Sequence, residues 1–269
     1  MSEIVLPKNE YVGDDGLRHC TVCTEAKEVM INPRYRQVIG MDRHPRHCKC
    51  EREKIEAEAA EREERRHRDE VRRLRSVCFT NRSMWDWTFE NDNGKNPQMK
   101  YAHDYVDRWK DMYRENKGLL LWGGVGTGKS FFAGCIANAL MEQEIPVRMT
   151  NFAEILNDLM GNVDGRGEYI HHLTNRYSLL IIDDLGMERG TEFGLEQVYN
   201  VIDSRLGARK PLIVTTNLSI DQIRNVTDLP HQRIYDRVGE VCVPIKIHGE
   251  SMRAEQAKRN MESFKQMMQ

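Results

Sequence analysis

The chain has 269 residues, 39% of them hydrophobic and 30% charged, with a formal net charge of −2. That length suits one ordinary domain of about 150–200 residues plus a smaller module. The small net charge leaves any site for nucleic acid or an acidic membrane to a local patch. No apolar run approaches the ~20 residues of a membrane span. The first eight residues lack the charged-then-apolar layout of a secretory signal. A reducing cytoplasm is the expected location, so the seven cysteines are not read as a disulfide framework.

Four of those cysteines fall in the first fifty residues, as Cys20-x-x-Cys23 and Cys48-x-Cys50. Paired thiolates at such spacing can close a tetrahedral zinc site, each pair forming one knuckle. Residues 1–50 are poor in large apolar side chains, so a module this small needs a staple. The second pair is less specific than another Cys-x-x-Cys, and His19, His44 or His47 can stand in for a thiolate. Residues 51–75 are almost entirely Glu, Arg, Lys and Ala, without Pro or Gly, a composition of high helix propensity. Glu58–Arg62 and Glu61–Arg65 are i,i+4 pairs in the favoured order. With no apolar stripe, this stretch reads as a solvated helical linker. A contact to a DNA backbone through Arg65, Arg66, Arg68, Arg72 and Arg73 is the less favoured alternative.

From residue 76 to 269 the pattern is globular. Tyr101, Tyr105, Val106 and Trp109 give helical spacing within Lys100–Arg114, an aromatic face for core packing. Leu119-Leu-Leu-Trp122 then enters Gly123-Gly124-Val125-Gly126-Thr127-Gly128-Lys129-Ser130, a G-x-x-x-x-G-K-S loop. The glycines let backbone N–H groups face phosphate oxygens. Lys129 can reach the β- and γ-phosphates, and Ser130 can complete a Mg²⁺ shell. Phe132, Ile136 and Leu140 mark the helix that follows, whose positive dipole end points at the phosphates. A strand before the loop and a helix after it make ATP or ADP the expected ligand.

Short apolar strands follow at 146–149, 179–182, 212–215 and 241–247, with helical patterns between them. Asn151 and Glu154 cap one helix over 152–160, and Leu195, Val198, Tyr199 and Ile202 mark another. Alternating strands and helices predict a parallel, doubly wound α/β sheet. The strand Leu179-Leu-Ile-Ile ends in Asp183 and Asp184. The first carboxylate can hold Mg²⁺ opposite Ser130, and the second can polarise an attacking water. Leu212-Ile-Val-Thr-Thr ends in Asn217, placed to orient that water or touch the γ-phosphate, because strand ends in such sheets converge on the ligand crevice. Ser219 and Gln222 already cap the next segment, which frees Asn217 for that role.

These motifs, with Arg233-Ile-Tyr-Asp-Arg237 and Gly249-Glu-Ser-Met-Arg253 behind them, resemble an AAA+ ATPase. The resemblance spans about residues 76–253 and is nearest to replicative helicase loaders of the DnaC/DnaI type. Trp87-Thr-Phe-Glu-Asn-Asp resembles the amino-terminal edge of such loaders, and the cysteine module more loosely resembles the zinc-bearing front of some of them. The resemblance implies that Arg233 is an arginine finger reaching a neighbouring subunit's γ-phosphate, with Arg237 its companion and Arg253 the sensor II arginine. It also implies three partners: the hexameric replicative helicase gripped by residues 1–50, single-stranded DNA, and further copies of the chain. Arg166 and Arg176 are candidate DNA contacts.

Two departures matter. Many AAA+ proteins carry Asp-Glu where this chain has Asp183-Asp184, so slow, partner-regulated hydrolysis is expected. Only sixteen residues follow Arg253, too few for a full helical lid. A sibling reading is an IstB-like helper of DNA transposition, which shares nearly every ATPase motif but usually begins with helices. A small-molecule kinase would want an acceptor pocket and a basic lid, neither of which is visible. A zinc protein with a decayed ATPase is disfavoured by the intact Lys129, Ser130, Asp183 and Asn217.

Overall fold

The computed structural model describes residues 7–161, 163–186, 191–249 and 251–268, and for 252, 253, 255 and 256 the backbone only. The chain divides into two units, residues 1–69 and 70–269.

In the first unit, β1 (Glu10–Val12) pairs antiparallel with β2 (Arg18–Cys20), and β3 (Glu28–Met30) with β4 (Arg43–Pro45). Between β3 and β4 lies α1 (Pro33–Ile39), started by Pro at its first position and by the Asn32 side chain accepting from Arg34 N–H. The helix α2 (Lys49–Cys78) begins in this unit and runs for 30 residues into the next. Its exposed face is laced by ion pairs, including Glu61–Arg65 at 3.2 Å and Glu64–Arg68 at 2.5 Å. Arg62 donates to the Glu58 backbone carbonyl instead of its carboxylate, and Glu58 pairs with Lys54 at 3.9 Å. The helix does acquire an apolar stripe in its last two turns, where Val71, Leu74 and Cys78 are buried in the second unit.

After two 3₁₀ turns, Arg82–Asp86 and Phe89–Asn91, the second unit continues with α3 (Met99–Asp107) and α4 (Trp109–Arg114), a break at Arg108 within the single helix expected from spacing. Next come β5 (Gly118–Trp122), α5 (Lys129–Glu142), β6 (Val147–Asn151), α6 (Phe152–Gly161), α7 (Arg166–Arg176) and β7 (Leu179–Leu185). The remainder is α8 (Glu192–Gly207), β8 (Leu212–Thr216), α9 (Ile220–Arg224), α10 (Leu229–Val241), β9 (Cys242–Lys246) and α11 (Met252–Met267). The five strands form one sheet in the order β6-β7-β8-β5-β9, every neighbouring pair parallel. This is the doubly wound α/β arrangement that strand–helix alternation predicts.

Alternate residues of each strand feed two cores. Leu119, Leu121, Leu179 and Ile181 pack with α3 and α5, while Leu120, Leu180 and Ile182 pack with α6, α8 and α10. Burial on both faces is why these strands read as unbroken apolar runs. Tyr105, Val106 and Trp109 belong to the first core and are packing, whereas Tyr101, expected on the same face, is exposed. Parallel pairing puts the carboxyl ends of β5, β7 and β8 on one edge, which carries the site. Arg205 of α8 is fully buried and donates to the carbonyls of Thr174, Tyr177, Ser178 and Pro211. Burial lowers its pKa to about 10, and the carbonyls satisfy its donors with no counter-ion among the described residues.

Candidate nucleotide and metal sites

The loop 123–130 joins β5 to α5, and its conformation depends on glycine. Gly126 has φ +82° and Gly128 φ +94°, both in the left-handed region. A methyl group on Gly126 would run into Ser251. Gly128 is the residue before Lys129 opens α5, so the first turn of that helix faces the loop. Val125 is exposed at the tip, and the Thr127 hydroxyl donates to the Gly124 carbonyl at 3.0 Å.

The structure brings residues from three strand ends together here. Lys129 Nζ donates to the carbonyls of Gly123 (3.0 Å) and Gly124 (2.8 Å) and to Asn217 Oδ1 (2.7 Å). Ser130 Oγ donates to both carboxylate oxygens of Asp183, at 2.9 and 2.8 Å, across 53 positions of sequence. Thr215 Oγ1 donates to Asp183 at 2.5 Å and accepts from Asp184 N–H at 3.0 Å. Asn217 Nδ2 lies 3.5 Å from Asp184 Oδ1. The ladder between β7 and β8 shifts register between Ile182 and Leu185, and Asp184 has φ +59°. Such a bulge beside a ligand crevice re-aims side chains. Here Asp183 is half-buried against Ser130, and Asp184 is exposed.

Burial pushes the Asp183 carboxyl above its ordinary range, against the opposing pull of Thr215, Ser130 and Lys129. A half-buried carboxylate beside a hydroxyl is the donor set that a hard divalent cation takes, so these groups fit Mg²⁺. The Thr215 contacts escaped sequence reading. Its place in Thr-Thr-Asn was visible, but not that its hydroxyl fixes both aspartates. A cleft of about 420 Å³ opens beside Thr127 and Gly128, walled by Phe131, Met99, Asn93, Asn96, His248 and Lys258. Those walls come from segments far apart in the chain, which no local motif joins.

Arg233 and Arg237 lie one turn apart on α10 and share Tyr199 of α8. The Arg233 guanidinium sits 4.5 Å from the Tyr199 ring centroid. Arg237 pairs with Asp203 at 3.2 Å and Glu240 at 3.0 Å. Arg237 first and then Arg233 hold the Tyr199 phenol below its usual range. Their described contacts are with this α8–α10 face, not with the phosphate loop of the same chain. Arg253 is the second residue of α11, but its side chain lies outside the described residues, as does Glu250. Arg166 stacks on Phe193 at 4.9 Å and donates to the Leu159 carbonyl, while Arg176 bonds His172 at 2.9 Å.

In the first unit the Sγ atoms of Cys20, Cys23, Cys48 and Cys50 all lie within 4.8 Å of one another. Cys50 is 3.4 Å from Cys20, 3.4 Å from Cys48 and 3.5 Å from Cys23. Zinc–sulfur bonds of about 2.3 Å at tetrahedral angles put sulfurs about 3.8 Å apart, so the cluster fits that ion. Backbone N–H groups of Cys50 and Glu25 lower Cys23 to about 6, whereas the three neighbouring sulfurs raise Cys50 to about 12. With all four sulfurs as thiolates, the cluster would need a cation between them. His19 is engaged elsewhere, with one nitrogen 2.9 Å from the Thr24 carbonyl and the other 3.0 Å from Asp15. His44 and His47 are exposed, and His47 lies 3.5 Å from Glu51.

Comparison with known proteins fits this geometry. The chain is 25% identical to the replicative helicase loader DnaI of Bacillus subtilis over 180 residues, 62% of this chain and 58% of the relative. It is 32% identical over 153 residues to an ATP-binding protein in an insertion sequence of Mycobacterium tuberculosis, covering 55% and 58% of the two chains. The match thus spans little more than half the length of these relatives. The replicative helicase loader DnaC of Escherichia coli is 25% identical over 175 residues, 64% of this chain and 67% of DnaC. Among solved structures, DnaI superposes with a TM-score of 0.52 at 20% identity, over 66% of this chain and 98% of that one. The DnaC helicase loader gives 0.51 at 21%, over 62% and 100%. The fold is shared with these solved structures. The model of the IstB-like ATP binding protein family matches residues 51–260, and the chain belongs to that family.

Proposed function

We propose that this protein is an ATP-dependent loader that places the hexameric replicative DNA helicase on single-stranded DNA in the cytoplasm, with hydrolysis as an assembly and release switch. The observation that carries the reading is covalent. One continuous 30-residue helix joins a four-cysteine module to an ATPase unit similar to DnaI and DnaC. The module, residues 1–50, holds zinc through Cys20, Cys23, Cys48 and Cys50 and grips the helicase. Residues 51–75 link it to the ATPase, residues 76–269.

In the ATPase, the backbone of 123–128 and the Lys129 ammonium bind the phosphates, while Ser130 and Asp183 hold Mg²⁺, which neutralises phosphate charge. Asp184 polarises the attacking water, and Asn217 orients it beside the γ-phosphate. Lys129 and Asn217 are bonded to each other, so nucleotide phosphates that draw Lys129 away also alter Asn217. That is a direct route from ligand state to catalytic geometry. Arg233 completes the site of a neighbouring copy and Arg237 fixes the same face. Arg253 contacts the nucleotide of its own chain. Differential contact with the γ-phosphate lets ATP favour one assembly and ADP another.

The family match and the insertion-sequence relative favour a second reading, an IstB-like helper of DNA transposition. The two separate on one experiment. Purified protein is incubated with ATP, a circular single strand and the replicative helicase, and loaded helicase is scored by strand unwinding. Loading that fails with Lys129→Ala supports the loader. Capture of a transposase, with no helicase binding, overturns it.

A further inference from the structure

The last three turns of α11 carry an apolar stripe that is exposed among the described residues. Ala257, Met261 and Phe264 recur at i, i+4 and i+7, one face of the helix, and Met268 at its C-cap continues the spacing. Every residue from 257 to 268 is exposed, Phe264 at 59% and Met267 at 80%. The other end of α11 belongs to the nucleotide cleft, where Ser251, Ala254 and Lys258 form one wall. A wall of the cleft therefore extends outward as an adaptable Met and Phe face.

A groove of suitable character lies elsewhere on the same unit. Between α8 and α10, Leu195, Tyr199, Leu229 and Pro230 line an indentation of about 180 Å³, with Leu229 66% exposed. That volume is below the ~300 Å³ at which small-molecule sites begin and suits an inserted side chain. Its rim carries Glu192 and Glu196, one turn apart on α8, and Arg233. Residues 257–268 carry three cations, Lys258, Arg259 and Lys265, against one carboxylate, Glu262. The charges are complementary, and the two surfaces share no residue. Such a pair makes a head-to-tail contact between copies.

We infer that the exposed Met261/Phe264 face of α11 docks in the Leu195/Tyr199/Leu229 groove of a second copy of this chain. The occupant follows from position as well as charge. The helix leads from one copy's nucleotide cleft, and the groove holds the arginine proposed to act on a neighbour's nucleotide. A single contact thus brings Arg233 of one copy toward the cleft of the next. The inference rests on the proposed action of Arg233 between subunits.

The test uses the full chain with two variants, the double substitution Met261→Asp/Phe264→Asp and the single Leu229→Asp. ATP-dependent self-association is measured by sedimentation velocity, with zinc content and binding of a fluorescent ATP analogue confirming that each variant is folded. Each variant alone should associate at least tenfold more weakly than wild type, while Phe264→Leu should assemble normally. Mixed in equal amounts, the two variants should form a pair and nothing longer. In that pair the intact helix of the Leu229→Asp copy meets the intact groove of the other. A mixture that stays monomeric, or single variants that assemble like wild type, overturns the docking. If Arg233→Ala still abolishes hydrolysis in those assemblies, the trans-acting arginine survives the failure. Wild type that stays monomeric in ATP overturns both.

Discussion

The two units of this chain reach a stable structure by different means. Among the described residues of the first unit, only Cys20, Glu28 and Cys48 are buried. Two are proposed metal ligands and the third is an acid, bonded to Arg18 at 2.5 Å. Lys27 bridges Glu10 and Glu51, both at 2.6 Å, and so ties the strands to the first turn of α2. The second unit instead has two apolar cores, one on each face of its sheet. The chain-wide hydrophobic content of 39% does not reveal this difference, which lies in what each unit buries. With so little apolar burial among its described residues, the first unit is expected to take much of its stability from the proposed zinc.

Removing zinc should therefore break one unit and spare the other. Structural zinc in small modules binds with roughly 10–16 kcal/mol of apparent free energy that is also folding free energy. Chelation, or Cys20→Ser with Cys23→Ser, should abolish ordered structure in residues 10–48. Amide exchange would report this, with exchange in the sheet unchanged. Equal loss in both units would erase the distinction.

The second unit should have its own point of failure at Arg205. Arg205→Met keeps much of the volume but strands four carbonyls. The cost is roughly 3 kcal/mol, or about 6–12 °C in Tm for a unit of this size. A calorimetric transition that moves for the sheet but leaves zinc affinity constant is the expected result.

Within the nucleotide site the effects are smaller and separable. Lys129→Ala should weaken ATP binding by roughly 2 kcal/mol, about thirtyfold in Kd. Asp184→Asn should keep binding within about threefold and slow turnover, since Ser130 and Asp183 still hold Mg²⁺. Isothermal titration beside a phosphate-release assay distinguishes them, and equal loss of binding would deny Asp184 its catalytic role.

The pH dependence should be the mildest effect. Burial raises Asp183, so its carboxyl takes up a proton at a higher pH than an ordinary aspartate. The Mg²⁺-dependent part of ATP affinity should be complete at pH 7 and decline as pH falls through that raised value. Binding without Mg²⁺ should stay nearly flat over the same range. Parallel curves with and without Mg²⁺ would remove Asp183 from the metal.

How far the sequence could be read follows the same division. The glycines of 123–128 and the apolar run into Asp183 are local patterns with one physical reading, and the sheet followed from them. What stayed hidden depends on contacts between distant segments. Val71, Leu74 and Cys78 have helical spacing, but they close a charged run and look like its tail. Thr215 acquires its two bonds only once β7 and β8 are paired and bulged. Arg205 looks like any helical arginine until the α7–β7 and α8–β8 connections converge on it. The strands of the first unit are three residues each, too short for alternation to show. The cysteine spacing was legible there because a metal site depends on identity more than on periodicity.

The division of labour between the two units is tested most directly by measuring two affinities on one sample. Full-length protein is assayed for capture of the replicative helicase and for ATP binding, before and after zinc is withdrawn, and again after it is restored. Capture should disappear on withdrawal and return with zinc, while ATP affinity stays within about twofold throughout. Capture that survives without zinc, or ATP affinity that falls along with it, would mean that the two units do not divide these tasks.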